Sequence, residues 1–317
     1  MESPVITFDQ VVAVGCGLDV HKANVVASIG GINVKEETRK FLTLTSELQQ
    51  LRGWLKNEGV THVAMESTSV YWKPVYNILE EDFEILLVNA SHVKNVPGRK
   101  TDKADSRWLT KLLLSGLLKG SFIPPRDIRE MRDLFRYKRK LQSLITAEKN
   151  RFQKILEDAN IKLGDYISDI FGVSGTAITN SIIDGVSHPI VLAELAGNRL
   201  KASKEQLISA LTGKINTHHR FMLKTIRKSI AQTQGLMEEV EQQIDEHLAS
   251  HQIAMELLQT IPGIGKESAG AILSEIGDDM SAFPSAHHLA SWAGISPGNN
   301  ESAGKKKVAE SPREIHT

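Results

Sequence analysis

Cysteine is nearly missing from this 317-residue sequence. Cys16 stands alone, which excludes a disulfide scaffold and a cysteine-rich zinc site and fits a reducing compartment. No uninterrupted run of about eighteen apolar residues occurs, so no membrane-spanning helix is expected. The opening MESPVITFDQ lacks the basic-then-apolar layout of a secretory leader. Net charge is also absent, with 38 Lys+Arg against 38 Asp+Glu, so the whole-chain total points to no partner. What remains is ordinary globular composition, 41% apolar and 24% charged, in a chain long enough for two cored domains. The expectation is a soluble cytoplasmic protein without a membrane role.

The balanced total conceals an uneven distribution. Residues 1–91 carry a net −5, residues 92–154 a net +11, and residues 155–317 a net −6. A strongly basic block inside a neutral chain is the electrostatic footprint of a polyanion partner. A solvated helix face accounts for the same count equally well. The candidate phosphate contacts in the block are Arg99, Lys100, Lys103, Arg132, Arg136, Lys138, Arg139 and Lys140.

The first 120 residues alternate between β-branched runs and helical spacing. Strands are expected at Val11–Val20, Val25–Ile29, Val34–Leu42, Thr61–Glu66 and Phe83–Asn89. Helices are expected at Leu44–Leu55, Tyr71–Glu81 and Thr101–Leu118. The order βββαβαβα predicts an α/β domain with a mixed sheet covered by helices. After Pro124-Pro125, a long basic helix is predicted over 126–160, and heptads run from Leu223 to Ile244. Those heptads suit either a helical hairpin within the chain or self-association. The turn Ile261-Pro262-Gly263-Ile264-Gly265 precedes another helix, and its Gly263 and Gly265 are candidate backbone contacts to phosphate. A Gly/Pro turn between core helices is the plainer reading. The domain limits drawn from this pass are 1–122, 123–254 and 255–307, with a disordered tail at 308–317.

Four acids occupy telling places. Asp19 closes the first strand, Glu66 closes the fourth, and Asp102 and Asp105 open the helix after the fifth. Asp102 and Asp105 share the stripe that continues through Leu109 and Leu112, which points inward. Paired carboxylates there repel one another unless a proton or cation neutralises them. First and fourth strands lie side by side in a sheet of this order, so the four acids form a hard-oxygen set suited to Mg²⁺ or Mn²⁺ rather than zinc. A helix N-terminus that favours negative charge and a strand-end turn would explain the same residues one at a time.

These residues resemble a known family. Gly17-Leu18-Asp19-Val20-His21-Lys22, Met65-Glu66-Ser67-Thr68 with Tyr71-Trp72, and Lys100-Thr101-Asp102-Lys103-Ala104-Asp105 are similar to the DEDD motif of the IS one-ten insertion-sequence transposases, which are bridge-RNA-guided DNA recombinases. Ile261–Gly265, Phe283-Pro284-Ser285, Leu289–Gly294 and Ser302-Ala303-Gly304 resemble that family's C-terminal transposase domain. The resemblance implies an RNase H-like domain of RuvC type, a coiled-coil middle and a small helical C-terminal domain. It implies metal ligands at Asp19, Glu66, Asp102 and Asp105, and a nucleophile at Ser302 near Lys305 and Lys306. It further implies a structured guide RNA, DNA ends and target as partners, a dimer or tetramer with a composite site, and a nucleoid-associated location. Two departures stand out. Ala303-Gly304 replaces the common Gly-Gly, and only 15 residues follow Ser302 where the family continues with further helices, so a truncated copy is expected. Two alternatives stay open: a RuvC-like, structure-specific nuclease that uses water, and a non-catalytic nucleic-acid-binding remnant. An actin-like ATPase or sugar kinase fits poorly, since no glycine-rich phosphate turn follows Asp19.

Overall fold

The computed structural model describes residues 11–66, 69–89, 102–197, 202–295, 301, 302, 305 and 306; for 102–104, 301, 302, 305 and 306 it describes the backbone alone. Two compact units emerge, one of Met1–Ile123 with Ser281–Thr317, the other Pro124–Met280.

The first unit is built on strands β1 (Val14–Val20), β2 (Asn24–Gly31), β3 (Glu37–Leu42), β4 (His62–Glu66) and β5 (Glu84–Val88). Their order in the sheet is β3-β2-β1-β4-β5. The first three form an antiparallel meander, while β4 pairs parallel to β1 and β5 parallel to β4. Strand alternation divides the residues between two faces. On one face Cys16, Leu18, Val20, Val25, Ala27, Ile29, Val63, Met65 and Leu87 meet the buried stripes of α1 (Thr45–Asn57) and α2 (Trp72–Leu79). Each fully buried leucine there contributes about 1.5–3 kcal/mol. Burial also pushes the Cys16 thiol up, so it stays protonated and packs as a small apolar group.

The opposite face is surfaced by small side chains, including Gly15, Gly17, Ser28, Gly30 and Ala64, and receives α3 (Asp102–Leu114). This is the mixed sheet with covering helices that the strand order predicted, and the RNase H-like arrangement that the family resemblance implied. A cluster of three rings completes the unit. Phe122 lies 4.9 Å from Phe283 and 6.0 Å from Trp292, and the last two are 5.4 Å apart.

The second unit is helical. Its frame is α4 (Arg126–Asp158), followed by the short helices α5 (Leu163–Tyr166), α6 (Val173–Ile183), α7 (Pro189–Glu194) and α8 (Lys204–Ala210), and then by α9 (Thr217–Leu248). Helix α4 starts directly after Pro125, and α9 starts at a capping box in which Asn216 and His219 exchange side-chain and backbone hydrogen bonds. Ile128, Met131 and Phe135 cluster with Ile244 and Leu248, whereas Phe152 and Leu156 cluster with Leu223 and Ile226. The two long helices are therefore antiparallel. The heptad residues Leu223, Ile226, Ile230 and Ile244 are spent on this intramolecular pairing, the hairpin alternative of the two that the pattern allowed. Helices α10 (Gln252–Gln259) and α11 (Lys266–Ile276) pack at the α4 N-terminal end, through Met255, Ala269 and Leu273.

The boundary between the two compact units falls inside segment 255–307. Helices α10 and α11 belong to the helical unit, and α12 (Ala286–Trp292) belongs to the sheet unit. The physical cause is the two apolar clusters, one on each side of Met280, that draw the flanking pieces in. No helix among the described residues is long and apolar enough to cross a membrane.

Candidate active site

The paired register of β1 and β4 ends with Leu18 beside Met65, and Asp19 and Glu66 are the next residue on each strand. Gly17 pairs with Ala64, two positions earlier, on the face that receives α3. Period-two alternation returns Asp19 and Glu66 to that same face. A Cβ on Gly17 would lie 2.3 Å from the Ser106 carbonyl oxygen, 2.6 Å from the Thr110 nitrogen and 2.8 Å from Leu109 Cβ. Only glycine permits this approach, the usual meaning of glycine inside a strand. Gly15, one step back, meets Leu113 and Leu114 instead. Helix α3 thus runs antiparallel to β1, and its first turn, with Asp102 and Asp105, begins at the end of the strand where Asp19 stands.

Buried hydroxyls hold that alignment without charge. Ser28 Oγ is 2.8 Å from both Thr38 Oγ1 and Ser106 Oγ. The Gly17 amide donates to Thr110 Oγ1 at 3.0 Å, and the same hydroxyl lies 2.8 Å from the Ser28 carbonyl. Arg107 Nε donates to Thr38 at the exposed end of the chain of contacts. Asp19 itself is 14% exposed and has His21 Nε2 3.1 Å from its Oδ2. None of these orienting groups was singled out from the sequence, apart from His21 as a neighbour of Asp19. The alternating glycines at 15 and 17 were the available signal.

Among the described residues, no three His, Cys, Asp or Glu side chains form a metal-binding group. Asp19, Glu66 and Asp105 are described in full and are not gathered into such a group, while Asp102 is described by its backbone alone. The chemistry of the donor set still fits Mg²⁺ or Mn²⁺, because every candidate ligand is a carboxylate oxygen.

The expected phosphate contacts separate into three kinds. Arg99 and Lys100 lie outside the described residues, and Lys103 is described by backbone only. Arg132, Arg136 and Lys138 are drawn into the helical unit, which corrects their reading as an open basic face. Arg132 donates to the Ser274 and Glu275 carbonyls at 3.1 and 2.6 Å, and Arg136 forks onto the Glu275 carboxylate with both contacts at 3.1 Å. Burial lowers the Arg132 pKa, opposed by the Glu275 charge. Lys138 bridges Glu241 at 3.0 Å and Glu267 at 2.6 Å; burial works against its charge, but these bonds prevail and its pKa is raised. Arg139 and Lys140 remain exposed.

Gly263 has φ +88°, which demands glycine, and Gly265 is the N-cap of α11 with no side-chain cap. The turn between α10 and α11 therefore carries one left-handed glycine and opens α11 at the next. The Ser302 backbone pairs with Lys305 in a two-residue antiparallel ladder, where Glu301 pairs with Lys306. The tail at 308–317 lies outside the described residues.

A five-stranded sheet of this order, with acids at the ends of adjacent parallel strands and on the covering helix, is an RNase H-like domain. Residues 16–161 match the DEDD transposase family model, and residues 255–315 match the model described as transposase IS116/IS110/IS902 family. The chain belongs to the IS one-ten family of transposases. Over 46 residues it is 54% identical to the pilin gene-inverting proteins of Moraxella bovis and Moraxella lacunata, covering 14% of this chain and 14% of each of those. Over 74 residues it is 36% identical to an uncharacterized 43.6 kDa insertion element IS110 protein of Streptomyces coelicolor, covering 23% of this chain and 18% of that one. The aligned stretches thus span less than a fifth of these relatives. A solved structure of T. thermophilus RuvC in complex with a Holliday junction substrate aligns with 34% of this chain and 99% of that chain, at 11% identity and a TM-score of 0.26.

Proposed function

We propose that the chain is a DNA transposase that cuts and rejoins strands with a divalent cation and a serine nucleophile, directed by a structured RNA. The observation that supports this reading is the β1–β4 register, whose last pair is Leu18 and Met65, so that Asp19 and Glu66 follow on adjacent parallel strands. Asp19, Glu66, Asp102 and Asp105 would hold Mg²⁺ or Mn²⁺, which when bound supplies positive charge to phosphoryl oxygens during displacement. His21 orients Asp19 through its 3.1 Å contact. Gly17, Ser106 and Thr110 fix the height of α3 over β1, at the end of the strand where Asp19 stands. The Ser302 oxygen attacks the scissile phosphodiester and displaces a deoxyribose hydroxyl, which takes up a proton as the serine loses one; the hydroxyl of the incoming strand then displaces the serine and rejoins the DNA, with Lys305 and Lys306 attracting the phosphate. A second copy of the chain completes the site. Gly263 and Gly265 offer backbone amides to a further phosphate, with Arg139 and Lys140 adding exposed charge.

The test is Mg²⁺-dependent cleavage of element-end DNA with the flanking RNA present. Asp19→Asn and Asp102→Ala are each expected to lower cleavage at least ~100-fold, as loss of one group in such a site does, with an unchanged melting temperature and loss of calorimetric Mg²⁺ binding. Retained cleavage in either variant overturns the carboxylate assignment. Ser302→Ala is expected to abolish the covalent protein–DNA product. Full cleavage by that variant replaces the serine mechanism with a water-using nuclease.

A further inference from the structure

We infer that the outward stripe of α9 is a binding site for single-stranded nucleic acid, with Lys224 and Lys228 on the phosphates and Phe221 under a base. Between Glu205 and Glu238 the sequence contains no acid, yet it carries Lys214, Arg220, Lys224, Arg227 and Lys228. The structure divides the four α9 cations by direction. Arg220 turns inward to the Ile182 carbonyl and Ser187 Oγ. Arg227 also turns inward, to Asn180 Oδ1 at 2.6 Å and Thr179 Oγ1 at 2.5 Å, with its guanidinium over the Phe152 ring. Lys224 and Lys228 are exposed, and neither has an ion pair among the described residues.

The helix geometry explains the separation. His219, Leu223, Ile226 and Ile230 are buried, and at about 100° per residue the positions 221, 224 and 228 fall on the opposite side. Phe221 on that stripe is 64% exposed, a position that contributes nothing to the core. Lys224 and Lys228 stand about 6 Å apart along the axis, with Phe221 one turn before them. Unneutralised cations spaced along a ridge, beside an exposed aromatic face, match what a single strand offers: a charged backbone and stackable bases. An acidic peptide would use the lysines but leave the ring without a planar partner. The inference is independent of the carboxylate site, since it needs no divalent ion.

The experiment is fluorescence anisotropy of the full chain with oligo(U) RNA and oligo(dT) DNA of 20 nucleotides, in EDTA, between 50 and 300 mM KCl. The Lys224→Gln/Lys228→Gln variant is expected to bind at least tenfold more weakly at the low-salt end, and its log-affinity against log-salt slope should be about 1.4 shallower. Phe221→Ala should lose about tenfold with an unchanged slope, because stacking is not screened. The control Lys204→Gln/Lys266→Gln removes two cations already held by Glu194 and Asp245 and should leave the slope unaltered. A larger loss with oligo(U) assigns the stripe to RNA, and with oligo(dT) to DNA. Wild-type affinity and slope in the Lys224/Lys228 variant for both probes overturn the inference, as does an equal loss in the control. Melting curves confirm that the variants stay folded. Loss of cleavage in Asp19→Asn with intact oligonucleotide binding would leave this stripe standing, so the two readings fail separately.

Discussion

The sheet unit and the helical unit hold their parts together by opposite means. In the first, α3 is set on β1 by proximity and neutral hydroxyls: a glycine with no room for a methyl group, and the Ser28, Thr38, Ser106 and Thr110 oxygens. In the second, α4 is fastened to α9 and α11 by ion pairs of Arg132, Arg136 and Lys138 with Glu241, Glu267 and Glu275. The neutral device positions candidate catalytic acids without adding competing charge near them. The charged device consumes cations that would otherwise face a polyanion. A count of Lys and Arg therefore overstates the surface charge of the helical unit, and direction decides what each cation does.

Substitutions can break this contrast, and the largest effect is expected at Gly17. Gly17→Ala forces a methyl group against the Ser106 and Thr110 backbone, and should cost about 3 kcal/mol and displace α3. Gly15→Ala meets the end of the Leu113 side chain at 2.9 Å, which can move, and should cost about 1 kcal/mol. Chemical denaturation of both variants measures the difference; equal costs would mean that the close approach is not what seats α3. Next is Arg132→Ala. It leaves two carbonyls and the Glu275 carboxylate short of a donor at a side chain only 16% exposed, at about 2 kcal/mol. Its salt slope for DNA should equal the wild type, and a shallower slope would return Arg132 to the binding surface. The smallest effect on stability is expected for Arg139→Gln/Lys140→Gln, within about 0.5 kcal/mol. That variant should instead flatten the salt dependence of binding, and an unchanged slope removes both residues from the interface.

Much of the sheet unit was legible because its signals are local. β-branched runs, helical stripes and the βββαβαβα order were enough to place Asp19 and Glu66 on neighbouring strands, and Leu109 and Leu112 of α3 are buried as their stripe required. The close contact at Gly17 was not read, since its partners Ser106 and Thr110 lie some ninety residues away. The partners of Arg132, Arg136 and Lys138 are likewise more than a hundred residues downstream. Averaging hid the rest. The net −6 over 155–317 contains both the acid-free first part of α9 and five acids between Glu238 and Glu246, so one helix carries two opposite surfaces.

The three-ring cluster also constrains how the molecule is made. Phe122 leaves the ribosome well ahead of Phe283 and Trp292, with the whole helical unit, Pro124–Met280, in between. At common rates of synthesis that interval lasts roughly ten to thirty seconds. Throughout it, the nascent sheet carries an unmatched aromatic side chain, a natural target for a chaperone or for a neighbouring polysome.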